Sequence, residues 1–163
     1  MVTTEEKRIQ FISLKVTNPQ EINNLIDLIH DEYFEVDNIK YDREQGIVEI
    51  PYRRIFHDGP RRTVHNWLLY KVQEVDVIRA KMRILHIEEF EVNDPDQIGT
   101  YCFNDVDYDH NRSTLLLDSN TKLELRMKVS KLFIGSQDLE IRGKSRIGFL
   151  FLFFESTTGR VYD

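Results

Sequence analysis

Apolar positions recur with a period of two over most of this chain and with a helical period in one place. Near the N-terminus Ile12, Leu14 and Val16 alternate with Ser13 and Lys15, which predicts a strand over 10–16 with one face inward. Asn18-Pro19-Gln20-Glu21 follows. Asn18 suits a helix cap, Pro19 the first helical position with its preset φ, and Glu21 the third residue after the cap. Ile22, Leu25, Ile26 and Ile29 then fall at i, i+3, i+4 and i+7, so one amphipathic helix is predicted over about 18–30, its stripe against a sheet.

Beyond that helix, segments rich in β-branched and aromatic residues predict strands at 34–41, 48–52, 67–72, 75–87, 101–108, 114–117 and 123–134. The clearest has Leu123, Leu125, Met127 and Val129 on a dry face and Glu124, Arg126, Lys128 and Ser130 on a wet one. Within 77–85, Ile78, Met82 and Leu85 fit a helix, whereas Ile78, Ala80, Met82 and Ile84 alternate as on a strand; the strand reading is preferred. The run 147–154 is apolar at successive positions, so Phe149, Phe151 and Phe153 share one strand face and Leu150, Leu152 and Phe154 the other. Such a strand needs cover on both faces, from its own core or from a partner.

Residues 39–50, IKYDREQGIVEI, align without gaps on 106–117, VDYDHNRSTLLL. Each reads as strand, polar turn, strand, with Tyr41-Asp42 and Tyr108-Asp109 ending the first strand and Gly46 opposite Ser113 at the tight position. An Asp there accepts bonds from turn amides, which explains the pair better than a two-carboxylate site does. The unit is either a duplicated half-domain or a coincidence of common hairpins. The segments 57–66 and 93–99 carry turn residues, but neither is long enough to require a linker. The fold class expected is therefore α+β and β-dominated: a single domain over 1–163, with an antiparallel sheet or two packed sheets of consecutive hairpins and one N-terminal helix.

Composition agrees with a folded domain of modest core, at 40% hydrophobic, 31% charged and 11% aromatic residues. Twenty-two basic against 28 acidic residues give a net charge of −6, a field that repels phosphate backbones and anionic lipid. Neither nucleic acid nor a membrane is expected as partner. The opening MVTTEEKRIQ has no apolar core after a basic stretch, and the longest apolar run falls far short of the ~20 residues of a spanning helix. A lone Cys102 cannot close an intramolecular disulfide, so a reducing cytoplasm is the expected compartment.

Catalytic chemistry finds little support. His30, His57, His65, His86 and His110 form no HxH, HxxH, HxxxH or HExxH pair, and Cys102 has no CxxC partner, so no metal is expected. His30-Asp31-Glu32 reads as a helix C-terminus where an imidazole complements the dipole rather than as a general base. His57-Asp58 runs into Gly59-Pro60 and reads as a turn. There is no GxSxG elbow, no GxGxxG and no phosphate loop, so no catalytic residue and no cofactor is assigned.

Charge patterning points elsewhere. Arg53, Arg54, Arg61 and Arg62 stand near a single Asp58, while Glu88, Glu89, Glu91, Asp94 and Asp96 cluster without a basic residue. Arg53, Arg54, His57, Arg61 and Arg62 are the candidate interaction surface, because guanidinium groups read carboxylates and other anions bidentately. In the plainer reading these arginines pair with the chain's own acidic stretch. The favoured function is a non-catalytic cytosolic protein-interaction domain, with a protein partner or a homo-oligomer. The alternative is a small-molecule-binding protein or enzyme with a site between or beside the sheets, His30, His57 and the arginines at its rim.

Overall fold

In the computed structural model the described residues are 11–67, 69–150 and 154–162, with side chains described up to 148. The predicted first strand is β1, Ser13–Val16. A 3₁₀ turn at Pro19–Glu21 then runs into α1, Ile22–Ile29. Asn18 Oδ1 accepts from Gln20 N at 3.1 Å, and Glu21 Oε2 accepts from Thr17 N at 2.9 Å and Asn18 N at 3.3 Å, so the cap is reciprocal. Ile22, Leu25 and Ile29 are buried, while Ile26 lies half-buried at the stripe's edge.

Strands dominate the rest of the chain: β2 (Tyr33–Glu35), β3 (Lys40–Asp42), β4 (Ile47–Ile55), β5 (Arg62–Trp67), β6 (Tyr70–Ile84), β7 (Ile87–Asn93), β8 (Thr100–Asp109), β9 (Thr114–Ser119), β10 (Glu124–Val129), β11 (Ile134–Leu150) and β12 (Phe154–Tyr162). They join a large antiparallel sheet in the order β1-β11-β6-β4-β2-β8-β9-β10-β7, with β12 on β11, β3 on β4 and β5 on β6. β8 pairs with β2 through Thr100 to Cys102 and with β9 through Phe103 to Asp109, with a register shift between Phe103 and Asp105. A shift of this kind bends the strand locally, and here Asp31 N, just past α1, donates to Phe103 O at 2.9 Å.

Several boundaries differ from the pattern-based ones. The segment 34–41 is broken by a 3₁₀ turn at Val36–Asn38, where Asn38 Nδ2 donates to Glu35 Oε2 at 2.7 Å. Most of 67–72 and 75–87 falls in one strand, β6, with Trp67 in β5 and Ile87 in β7, and Ala80, Met82 and Ile84 lie on a fully buried face of it. Segment 123–134 is interrupted at 130–133, where Ser130 N donates to His86 O and Leu85 N to Phe133 O. β7 was not foreseen because its IEEFEVN sequence is more acidic than a strand usually is. The apolar run 147–154 lies partly in β11 and β12; Ile147 and Gly148 are buried, residues 151–153 fall outside the described residues, and the face-by-face expectation for the phenylalanines therefore does too.

Contacts divide the chain into two units, Ile12–Arg54 with Ala80–Asp138, and Ile55–Arg79 with Leu139–Asp163 and Met1–Phe11. The first holds the main core, in which Leu25 and Ile29 of α1 pack among Ile50, Tyr52, Met82, Phe103, Leu115 and Met127. Phe103 stacks on Phe34 at 4.3 Å between ring centroids and takes the edge of Tyr52 at 5.7 Å. In the second unit Val72, Val75, Val77, Ile78 and Ile147 are buried. At Gly148 there a Cβ would stand 2.8 Å from the Tyr70 hydroxyl, the far end of a side chain that would have to shift.

The two aligned hairpins have the same register, Tyr41 opposite Val48 and Tyr108 opposite Leu115. Asp42 Oδ1 accepts from Gln45 N at 3.0 Å, and Asp109 Oδ1 from Arg112 N at 3.1 Å, one position for one position. Gly46 at φ 63° and Ser113 at φ 50° take the matching left-handed place. Their carbonyls accept at 2.9 Å from Ile87 N and Val129 N, and those two residues are themselves partners across β7 and β10. The two aspartates thus serve their turns and do not converge on a site.

Candidate interaction surfaces

Alternation along β4 sends Val48, Ile50, Tyr52 and Arg54 to the buried face and Glu49, Arg53 and Ile55 to the other. Arg54 is therefore removed from the exposed surface expected for it: it is 7% exposed and paired through Nε to Asp138 Oδ1 at 2.8 Å and through Nη2 to Asp138 Oδ2. Asp138 Oδ2 also accepts from Ile12 N at 2.8 Å, which ties β1's approach to the pair. Beside them the Tyr52 and Ser136 hydroxyls share a 2.6 Å bond. Burial pushes the Tyr52 phenol up to about 12, only partly countered by Ser136 and reinforced by the Asp138 charge. The cluster is a satisfied buried network that holds β4 and β11 in place across β6.

Arg53 lies on the outer face and meets Glu35 Oε1 at 2.8 Å, so its charge is engaged within the chain. His57, Arg61 and Arg62 are exposed and belong to the second unit, whereas Arg53 and Arg54 belong to the first. His30 caps α1 as expected, its Nδ1 3.2 Å from Asp31 Oδ2. Cys102 is buried against Tyr33, and burial raises its thiol, so it is a poor nucleophile. Among the described residues no group of three or more His, Cys, Asp or Glu side chains is arranged to hold a metal.

Two surfaces stand out. The first is the hairpin of β5 and β6, which corrects the reading of 57–66 as turn: Arg62 to Asn66 are strand, paired from Arg62–Glu74 to Trp67–Tyr70 with a shift between Thr63 and His65. All six residues of β5 are exposed. At its tip Trp67 is 77% and Leu69 59% exposed, with Tyr70 and Val64 also open to solvent. From 59 to 73 the chain carries Arg61, Arg62 and Lys71 and no acidic residue. The signal available in the sequence was Trp67, Leu69 and Tyr70 close together at what the structure makes a chain reversal, where turn residues are the norm.

The second surface is the outer face of β8, β9, β10 and β7 in the first unit. Register sets Asp105 opposite Asp118 and Asp118 opposite Glu124, three carboxylates in one row across three strands. Asp107 and Asp109 continue the acidic edge along β8. Burial raises the Asp118 carboxyl, and Glu124, Asp105 and Asp107 raise it further. Opposite this edge a groove of about 220 Å³ is lined by Glu89, Glu91, Thr114, Arg126 and Lys128. The acidic stretch 88–96 is balanced in part from β10 and its approach: Lys128 stands 3.7 Å from Glu88 and Glu89, and Lys122 3.9 Å from Asp96. These are long contacts between exposed groups and neutralise little.

No protein-family model, curated protein or solved structure matches this chain.

Proposed function

We propose that this protein is a non-catalytic protein-interaction module whose contact element is the β5–β6 hairpin. The observation that carries the reading is the 77% exposure of Trp67 at a hairpin tip, with Leu69 beside it and Arg61 and Arg62 on the same hairpin. Holding an indole and a leucine in water forgoes roughly 2–3 kcal/mol per side chain that burial would return. Trp and Arg are the residues that most often dominate binding energy, the aromatic at the desolvated centre and the charges at the rim. Cytoplasmic residence belongs to this reading, on the single thiol.

The test is a photo-crosslinking residue at position 67 in cells, followed by reconstitution with the purified crosslinked protein. Trp67→Ala is expected to weaken that complex by about 30-fold or more, the loss of a hot spot of 2 kcal/mol or above. Equal affinity of the two forms would remove the hairpin as the contact element.

A further inference from the structure

We infer that the partner of the hairpin is a second copy of this chain, and that the hairpin seats on the acidic outer face of β8, β9, β10 and β7. This rests on the reading of β5–β6 as a contact element and adds its receptor. Three observations support it.

Carboxylates directly opposite one another on neighbouring strands destabilise a sheet, yet Asp105, Asp118 and Glu124 stand in one such row. Arg126 Nη2, 3.6 Å from Glu124 Oε2, meets part of that charge, and cations brought by a partner relieve the rest. The described residues offer no metal cage, so dispersed guanidinium and ammonium groups fit the row better than a single ion. This chain presents such groups itself: Arg61, Arg62 and Lys71 lie in 59–73, which holds no acidic residue, while Glu74, opposite Arg62, pairs with Lys144 at 3.2 Å and Arg61 Nη2 donates to His57 O at 3.2 Å.

The groove on the same face supplies a seat for the apolar tip. Arg126 and Lys128 line it with long aliphatic stems that can cover an aromatic ring, and their charges favour the ring face. Half-buried Leu116 lies between Asp107 and Arg126 in register, an apolar spot within the charged face. Trp67 in the groove and the hairpin arginines against the β8 carboxylates make a contact with an aromatic centre and a charged rim. Because donor and receptor surfaces differ, the association is head-to-tail and forms either a ring or an open chain of copies.

The test uses the full chain in sedimentation at about 20 mM and about 500 mM salt, conditions on either side of strong screening. Wild type is expected to self-associate at low salt and to weaken by at least about 10-fold at high salt. Arg61→Glu with Arg62→Glu, and separately Asp107→Arg with Glu124→Arg, which leaves the turn carboxylate Asp109 in place, should each be monomeric with unchanged circular dichroism. Mixed together, the two variants should associate again, since each then meets an opposite charge in the other. A wild type that is monomeric at about 100 μM in low salt overturns the inference, as does association that either variant leaves intact. Crosslinking from position 67 separates the two claims: a foreign protein captured and confirmed by reconstitution leaves the hairpin as contact element while refuting the second copy, and a Trp67→Ala protein that keeps every association refutes both.

Discussion

Replacing Asp138 by Ala removes the acceptor that Arg54 Nε, Arg54 Nη2 and Ile12 N all use, and leaves a guanidinium that is 7% exposed without its counter-charge. Breaking a buried pair from one side costs about 3–5 kcal/mol, because the remaining charge stays desolvated. The orphaned Ile12 amide adds roughly 1 kcal/mol. Replacing both partners with leucine removes the stranded charge, and apolar substitutes for a whole buried pair are neutral to stabilising by about 1–4 kcal/mol. The Arg54→Leu, Asp138→Leu protein should therefore be at least about 2 kcal/mol more stable than Asp138→Ala. Urea denaturation followed by far-UV circular dichroism measures this, with a midpoint difference near 1 M for a slope of about 2 kcal/mol per molar. If Asp138→Ala costs less than about 1 kcal/mol, water reaches Arg54 and the site is not buried in solution. A double variant as unstable as the single one would show that packing, and not the unpaired charge, sets the cost.

Three further outcomes are expected. Asn18→Ala should cost roughly 1 kcal/mol through the lost acceptor for Gln20 N, whereas Leu25→Ala, at a fully buried position of the helix stripe, should cost about 2–5 kcal/mol; equal small losses in denaturation would mean that α1 is not docked. Gly46→Ala should cost about 1–3 kcal/mol, since the residue stands at φ 63° and a Cβ would meet Ile87 O at 2.8 Å, and an unchanged melting temperature would contradict that turn geometry. Asp118→Asn should stabilise at neutral pH by about 0.2–1 kcal/mol per carboxylate neighbour relieved. With the folded pKa raised above the unfolded one, ionisation of Asp118 costs stability as pH rises through the folded value, so the gain should vanish on acidification below the unfolded value; a gain that persists in acid would show that charge is not the cause.

Most of what was legible in the sequence is set by neighbours along the chain. The cap at Asn18 to Glu21, the α1 stripe, the period of two in β6 and β10, and the turn aspartates of both hairpins depend on residues within about four positions, where backbone geometry alone decides the partner. Arg54 shows where this stops. Its place in the alternation with Val48, Ile50 and Tyr52 was readable, but a charge is ordinarily sent outward, and only Asp138, 84 residues away, makes the inward position tolerable. β7 was missed for the same kind of reason, since Glu88, Glu89 and Glu91 read as loop until β10 lays Lys128 and Arg126 alongside. The exposure of Trp67 and the row of Asp105, Asp118 and Glu124 follow from strand register and from what fails to cover a hairpin tip. Register between strands far apart in sequence is chosen by the burial of a whole face at once, so those surfaces are properties of the assembled sheet and of no single segment.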